Sequence, residues 1–156
     1  MRARPSRARG AAPSVAAASA SAGAETPRQT IDDLLDDARR RIVRYEPADA
    51  YRAMLAGTLL VDTRCAELRR EAGVIPGSVH APLSVLFWRL DPASGSADPT
   101  LADPTRPVVL LCADGYSSSL AAATLRDLGF AAVGDVIGGF DAWTSAGLPV
   151  EPAARA

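Results

Sequence analysis

The segment VVLLCADGYSSSLAA, residues 108–122, ends an apolar run in Cys112 and follows it with a loop that opens into an alanine-rich helix. A thiol at that junction is placed for nucleophilic chemistry. In open parallel sheets ligands bind beyond the carboxyl ends of the strands, and Cys112 stands at such an end. The stretch Ala113, Asp114, Gly115, Tyr116, Ser117, Ser118 leads into a helix N-terminus, where unpaired N–H groups and the helix dipole favour an anion. A free cysteine ionises near about pH 8.5 and a cysteine in such surroundings lower, so Cys112 is expected to carry more thiolate at neutral pH. Gly115 lets the loop turn its N–H groups inward. Ser117, Ser118 and Ser119 add hydroxyl donors around the same concavity. Tyr116, in mid-loop, either rims the entrance or covers the helix start. The carboxylate of Asp114 would repel an anion if it turned inward, and it is expected to face solvent.

Little else in the chain is equipped for chemistry. Cys65 follows Arg64 at the mouth of an earlier strand, and it is read as a small semi-buried residue in preference to a resolving thiol. His80, the only histidine, is read as a hydrogen-bonded structural residue. Two cysteines and one histidine make neither a disulfide framework nor a zinc-ligand set, so no metal and no cofactor are expected. Trp88 and Trp143 are expected in the core, Trp143 with an edge toward the pocket.

All 17 basic residues are arginine, and they are unevenly placed. The first 30 residues are basic, whereas the rest is mildly acidic. Outside the tail the only basic cluster is Arg39 to Arg44, on a segment that also carries Asp32, Asp33, Asp36 and Asp37. Acids in the first turns of a helix and bases in the last complement its dipole, so this is read as a solvated face, and no nucleic acid partner is expected. No apolar run approaches the roughly 18 residues of a membrane span. The stretch AAPSVAAASASAGA is too weakly hydrophobic for the centre of a signal peptide. Residues 1–30 are therefore expected to be a disordered tail, and the protein cytoplasmic.

The elements that must position Cys112 follow from periodicity and punctuation. Apolar residues at Ile31, Leu34, Leu35, Ala38, Ile42 and Val43 behind Thr30 predict an N-terminal helix over 31–45. Pro47 and Gly57 bracket a second helix. The runs TLLVD and VVLLC have the unbroken hydrophobicity of strands buried on both faces. Between them lie a short helix in CAELRREAG, a brief strand in VIPGSVHAP, a helix in LSVLFWRL and a proline-punctuated loop over 91–107. SSSLAAATLRDLG is a helix closed by Gly129, and AAVGDVIGGFDAWTSAG a strand with a terminal helix. Strands alternating with helices predict an α/β sheet with parallel pairing in one domain over 46–150, followed by a flexible C-terminus at 151–156.

In this order, LLVDTR, GVIPGSVHAP, VVLLCADGYSSSLAAATLRDLGF and VIGGFDAW resemble a single-domain rhodanese, a sulfurtransferase of the thiosulfate type. The resemblance implies a three-layer α/β sandwich with a five-stranded parallel sheet, to which the N-terminal helix is an addition. It further implies that Cys112 cycles between thiolate and persulfide, and that residues 113 to 118 hold the persulfide and an anionic substrate through backbone N–H groups. Asp62 and Arg64 match an internal ion pair that closes the first strand, and Gly138, Gly139, Phe140 and Trp143 match a segment packed beside the site.

Ser117 departs from the pattern, because many members carry arginine there. The chemistry itself needs no acid or base: a thiolate takes the outer sulfur of a small anionic donor such as thiosulfate, sulfite leaves, and cyanide or a thiol accepts the sulfur. A phosphatase or arsenate reductase of the same fold would need an arginine at the sixth position after the cysteine, where Ser118 stands. A persulfide carrier or a rhodanese-like interaction module is the remaining alternative. The assembly is expected to be a monomer or homodimer.

Overall fold

The computed structural model describes residues 26–155; of the tail expected over 1–30, residues 1–25 lie outside them. Helix α1 (Ile31–Arg40) opens on Thr30, whose hydroxyl accepts from the Asp33 N–H while the Asp33 carboxylate accepts from the Thr30 N–H. This reciprocal capping satisfies two donors that a helix start leaves without partners.

The helix expected over 31–45 stops at Arg40. Residues Val43–Tyr45 instead form strand β1, which pairs in parallel with a later strand, so the sheet begins before the boundary expected at residue 46. The β-branched pair Ile42 and Val43 fitted a helical period, but tertiary pairing overrode it. Gly134 makes the pairing possible: a Cβ there would stand 2.3 Å from the Val43 carbonyl oxygen and against the Tyr45 ring.

The remaining elements are α2 (Pro47–Leu55), β2 (Leu59–Asp62), α3 (Ala66–Ala72), β3 (Val79–His80), α4 (Leu86–Leu90), β4 (Val108–Leu111), α5 (Ser117–Asp127), β5 (Val133–Val136) and α6 (Gly139–Ser145). The five strands form one parallel sheet in the order β1-β5-β4-β2-β3, which puts β4, and Cys112 after it, in the centre. Alternate residues of the central strands enter two cores. Leu59, Val61, Val108 and Leu110 meet Leu86, Leu90, Ala122 and Leu125 of α4 and α5 on one face. Leu60, Val109 and Leu111 meet Ala50, Phe140 and Trp143 of α2 and α6 on the other. Both faces covered is the reason these strands read as unbroken apolar runs. The architecture is the expected three-layer α/β fold with α1 added, packed on α5 and tied to it by an Arg41–Asp127 ion pair.

Two further expectations are corrected. Trp88 is exposed, not core: α4 is a single short turn whose buried side is taken by Leu86 and Leu90. The C-terminal segment is not free from residue 151, since Glu151 and Val74 exchange both backbone hydrogen bonds, at 2.8 and 2.9 Å. Among the described residues no helix is long and apolar enough to cross a membrane.

Candidate active site

Cys112 is the first residue beyond β4, and it is buried. Its Sγ accepts the Gly115 N–H at 3.1 Å and lies 3.3 Å from the Ser118 Oγ. Burial pushes the thiol pKa up. The Ser118 and Ser117 hydroxyls and the Ser118 and Gly115 N–H groups favour the charged form, and together they carry it below the ordinary cysteine value. The thiolate is therefore the form these donors select.

The loop keeps that geometry because its carbonyl groups are bound elsewhere. The Cys112 carbonyl accepts from the Phe140 N–H at 2.8 Å and the Ala113 carbonyl from the Asp141 N–H at 3.0 Å, both at the start of α6. The Gly115 carbonyl accepts from Arg39 Nη2 at 2.9 Å and more weakly from Arg44 Nη2 at 3.4 Å. With its carbonyls held outward, the loop presents N–H groups to the sulfur. Close approach of the two segments needs glycines: a Cβ on Gly115 (φ +85°) would stand 2.6 Å from the Gly138 nitrogen, and one on Gly139 (φ +60°) 2.5 Å from the Cys112 carbonyl oxygen.

Of the residues expected to form the loop, Ala113, Asp114, Gly115 and Tyr116 do so, whereas Ser117 and Ser118 are already in the first turn of α5. That placement aims their hydroxyls at the sulfur from the helix N-terminus. Asp114 is exposed as expected, although one carboxylate oxygen stays 3.9 Å from Sγ. Tyr116 is 58 % exposed and carries the Arg39 guanidinium 5.5 Å from its ring centroid, so it rims the loop and shields an arginine.

The residues beside the site are bound to one another and to the fold. Asp62, wholly buried, accepts from Arg64 Nε at 3.0 Å and Nη2 at 2.8 Å, and from Arg69 Nε at 3.1 Å. The Arg64 guanidinium lies 3.5 Å from the Phe140 ring centroid, linking the end of β2 to the helix that holds the loop. His80 Nε2 is 2.8 Å from the Arg64 carbonyl oxygen, to which it donates. Trp143 is buried in the core edge-on to Tyr51, with Nε1 donating to the Pro149 carbonyl, and does not edge the pocket. Cys65, the residue that caps the start of α3, is exposed and not semi-buried.

Asp135 and the inward role of Arg39 and Arg44 escaped the sequence reading. Asp135 is wholly buried on β5, with its carboxylate accepting from Arg44 Nε at 3.0 Å and Ser119 Oγ at 2.6 Å and lying 3.0 Å from Ser118 Oγ. The basic cluster read as a solvated face thus splits. Arg40 and Arg41 are exposed, and Arg39 and Arg44 turn under the loop. A carboxylate inside the apolar strand of AAVGDVIGG was the available signal, since a buried charge demands partners.

Comparison with known proteins gives the family. The model of the rhodanese-like domain matches residues 46–146. A thiosulfate sulfurtransferase GlpE of Haemophilus influenzae (strain PittEE) is 33 % identical over 107 residues, 69 % of this chain and 92 % of the relative. The GlpE of Pseudomonas savastanoi pv. phaseolicola is 37 % identical over 100 residues, 64 % of this chain and 85 % of the relative. Among solved structures, a Rhodopseudomonas palustris CGA009 protein of unknown function, described as a possible tyrosine phosphatase, superposes with a TM-score of 0.74 at 34 % identity, covering 81 % of this chain and 98 % of that one. The polysulfide-sulfur transferase homodimer of Wolinella succinogenes superposes with a TM-score of 0.60 at 27 % identity, covering 78 % and 86 %. With the family model spanning most of the chain and the central-strand cysteine standing in a loop of inward N–H groups, this protein belongs to the rhodanese-like domain family, as a relative of the GlpE thiosulfate sulfurtransferases.

Proposed function

We propose that the protein is a sulfurtransferase that moves sulfane sulfur from thiosulfate, or a similar small anionic donor, to cyanide or a thiol through a persulfide on Cys112. The observation that carries this reading is a buried thiol at the end of the central strand whose sulfur receives the Gly115 N–H and faces the Ser118 hydroxyl. The thiolate attacks the outer sulfur of thiosulfate, a new S–S bond forms, and the bond to the sulfonate group breaks with its electron pair leaving on sulfite. The acceptor then attacks the outer sulfur of the persulfide, and Cys112 departs as thiolate. No proton has to be moved in either step with cyanide or a thiolate as acceptor. Residues 113 to 118 bind the anions, Asp62 and Arg64 brace the strand end, and Gly138 and Gly139 admit the loop.

A phosphatase is less well supported. Bidentate capture of phosphate needs a guanidinium facing the thiolate, whereas Arg39 and Arg44 bind the outward carbonyl of Gly115. Both cysteines are free thiols, which suits a reducing compartment, and we place the protein in the cytoplasm as a monomer or homodimer.

The test is sulfur transfer from thiosulfate to cyanide by the intact chain, Cys112→Ser and Cys65→Ser, with intact mass recording one added sulfur. Turnover and sulfur uptake that vanish only with Cys112→Ser are the expected result. A folded chain that takes no sulfur from thiosulfate or mercaptopyruvate overturns the reading and leaves a carrier or interaction module.

A further inference from the structure

The hydroxyl of Ser118 lies within reach of both the sulfur of Cys112 and the carboxylate of Asp135. Ser118 Oγ is 3.3 Å from Sγ on one side and 3.0 Å from Asp135 Oδ2 on the other. A hydroxyl has one hydrogen, so it cannot serve both acceptors at once. When it points to Asp135, the oxygen can accept from a neutral S–H; when it points to the sulfur, it stabilises a thiolate.

The carboxylate can release that hydrogen because it has other donors. Arg44 supplies Nε to Oδ1 at 3.0 Å and Nη2 to Oδ2 at 3.3 Å, and Ser119 supplies its hydroxyl to Oδ2 at 2.6 Å. The Ser119 oxygen in turn accepts from Arg39 Nε at 3.2 Å, and its single hydrogen goes to the charged Asp135 oxygen at 2.6 Å in preference to the neutral Gly115 carbonyl oxygen at 3.3 Å. A buried carboxylate with three donors besides Ser118 is satisfied in either state.

We propose that Asp135 is a positioning residue for Cys112 that acts through Ser118, holding the Ser118 hydrogen while the inner sulfur is neutral and yielding it when that sulfur is a thiolate. The proposal rests on the reading of Cys112 as a sulfur acceptor. In that cycle the inner sulfur alternates between thiolate and neutral persulfide, so the hydroxyl turns once in each half-reaction. No proton leaves the three residues. The strength of Asp135 as competitor then sets the share of thiolate before attack and the ease with which Cys112 departs from the persulfide.

The other charged and titratable groups around the sulfur are accounted for. The loop contributes Asp114, exposed, with Oδ1 3.9 Å from Sγ, and Tyr116, exposed under Arg39. Helix α1 contributes Arg39 and strand β1 contributes Arg44, both bound to the Gly115 carbonyl. The first turn of α5 contributes only serines, and α6 contributes Asp141, exposed, whose N–H holds the Ala113 carbonyl.

The experiment measures alkylation of Cys112 by iodoacetamide against pH, by intact mass, in reduced Cys65→Ser chains so that one thiol reports. Ser118→Ala removes the donor and is expected to slow alkylation about tenfold at a fixed pH below half-ionisation, because a hydrogen bond to a charged group is lost. Asp135→Asn, which frees the Ser118 hydrogen for the sulfur, is expected to speed it at least about threefold at the same pH. In the double variant the Asp135 effect is expected to fall by half or more, since its route is gone. An Asp135→Asn profile that is unchanged, or that shifts equally with and without Ser118, overturns the proposal. Should Asp135→Asn fail to fold, Arg44→Gln on the partly exposed arginine goes through the same cycle. It is expected to slow alkylation, with a smaller effect in the Ser118→Ala background; equal effects in both backgrounds overturn the proposal. The alkylation profile needs no sulfur donor: shifts as stated in a chain that takes no sulfur would sink the functional reading and leave the positioning role standing. Sulfur uptake with unmoved profiles does the reverse.

Discussion

Arg39 Nη2 donates to the Gly115 carbonyl oxygen at 2.9 Å, and through that bond the N-terminal helix reaches the loop around Cys112. The Gly115 N–H donates to Cys112 Sγ. One glycine therefore carries both the contact to the sulfur and the contact that fixes it, and α1 is part of the site's support.

Removing that support should show in turnover before it shows in stability. Arg39→Ala is expected to lower kcat/KM for thiosulfate about tenfold, from the loss of a charge-assisted hydrogen bond to the loop. The unfolding midpoint in urea is expected to move little, because the side chain is only half-buried. Arg39→Lys should restore only part of the loss, since one ammonium cannot reach both the Gly115 carbonyl and the Ser119 hydroxyl. Equal kcat/KM for Arg39→Ala and the unaltered chain would remove α1 from the site.

The Asp62–Arg64 pair makes the opposite prediction. Asp62→Ala leaves a buried guanidinium with its carboxylate gone, and is expected to cost about 3–5 kcal/mol in urea unfolding. Arg40→Ala, which breaks the exposed pair with Asp37, should leave the midpoint where it was.

Close backbone approach predicts a strong effect from a single methyl group. Gly139→Ala forces a Cβ to within 2.5 Å of the Cys112 carbonyl oxygen, so the loop must move and sulfur uptake is expected to be lost. Gly57→Ala, at φ +108° but with open space around the added atom, should cost only about 1–3 kcal/mol of backbone strain and retain uptake.

The lowered thiol pKa gives a pH dependence with a definite sign. Alkylation and sulfur uptake should rise with pH, reach half their maximum below the value for free cysteine in the same buffer, and then level off. A depressed folded-state value means that folding favours the thiolate. Its stabilisation is complete above the unfolded value of about 8.5 and is lost as pH falls through the folded one. Relative to Cys112→Ser, the unfolding midpoint should therefore gain as pH rises across that window, and a constant difference would contradict the donor arrangement around Sγ.

The amino-acid order by itself carries whatever depends on local neighbours. Unbroken apolar runs gave away strands covered on both faces, Thr30 and Gly129 marked helix ends, and the strand, cysteine, loop and helix succession put a thiolate at a helix N-terminus. These are properties of neighbours along the chain: backbone geometry fixes which side chains and N–H groups a few residues can bring together.

Folding alone decided which distant segments meet. Val43–Tyr45 became an edge strand because β5 offered a partner with a glycine beneath it, and Trp88 went to the surface because Leu86 and Leu90 took the buried side of α4. Arg39 and Arg44 looked like solvated charges until the fold put them beneath Gly115, and Asp135 had no visible purpose until Ser118 and Ser119 arrived above it. A charge buried 91 residues from its partner along the chain, as Asp135 is from Arg44, is settled by three-dimensional packing and by the cost of leaving it unpaired, and neither is written in local spacing.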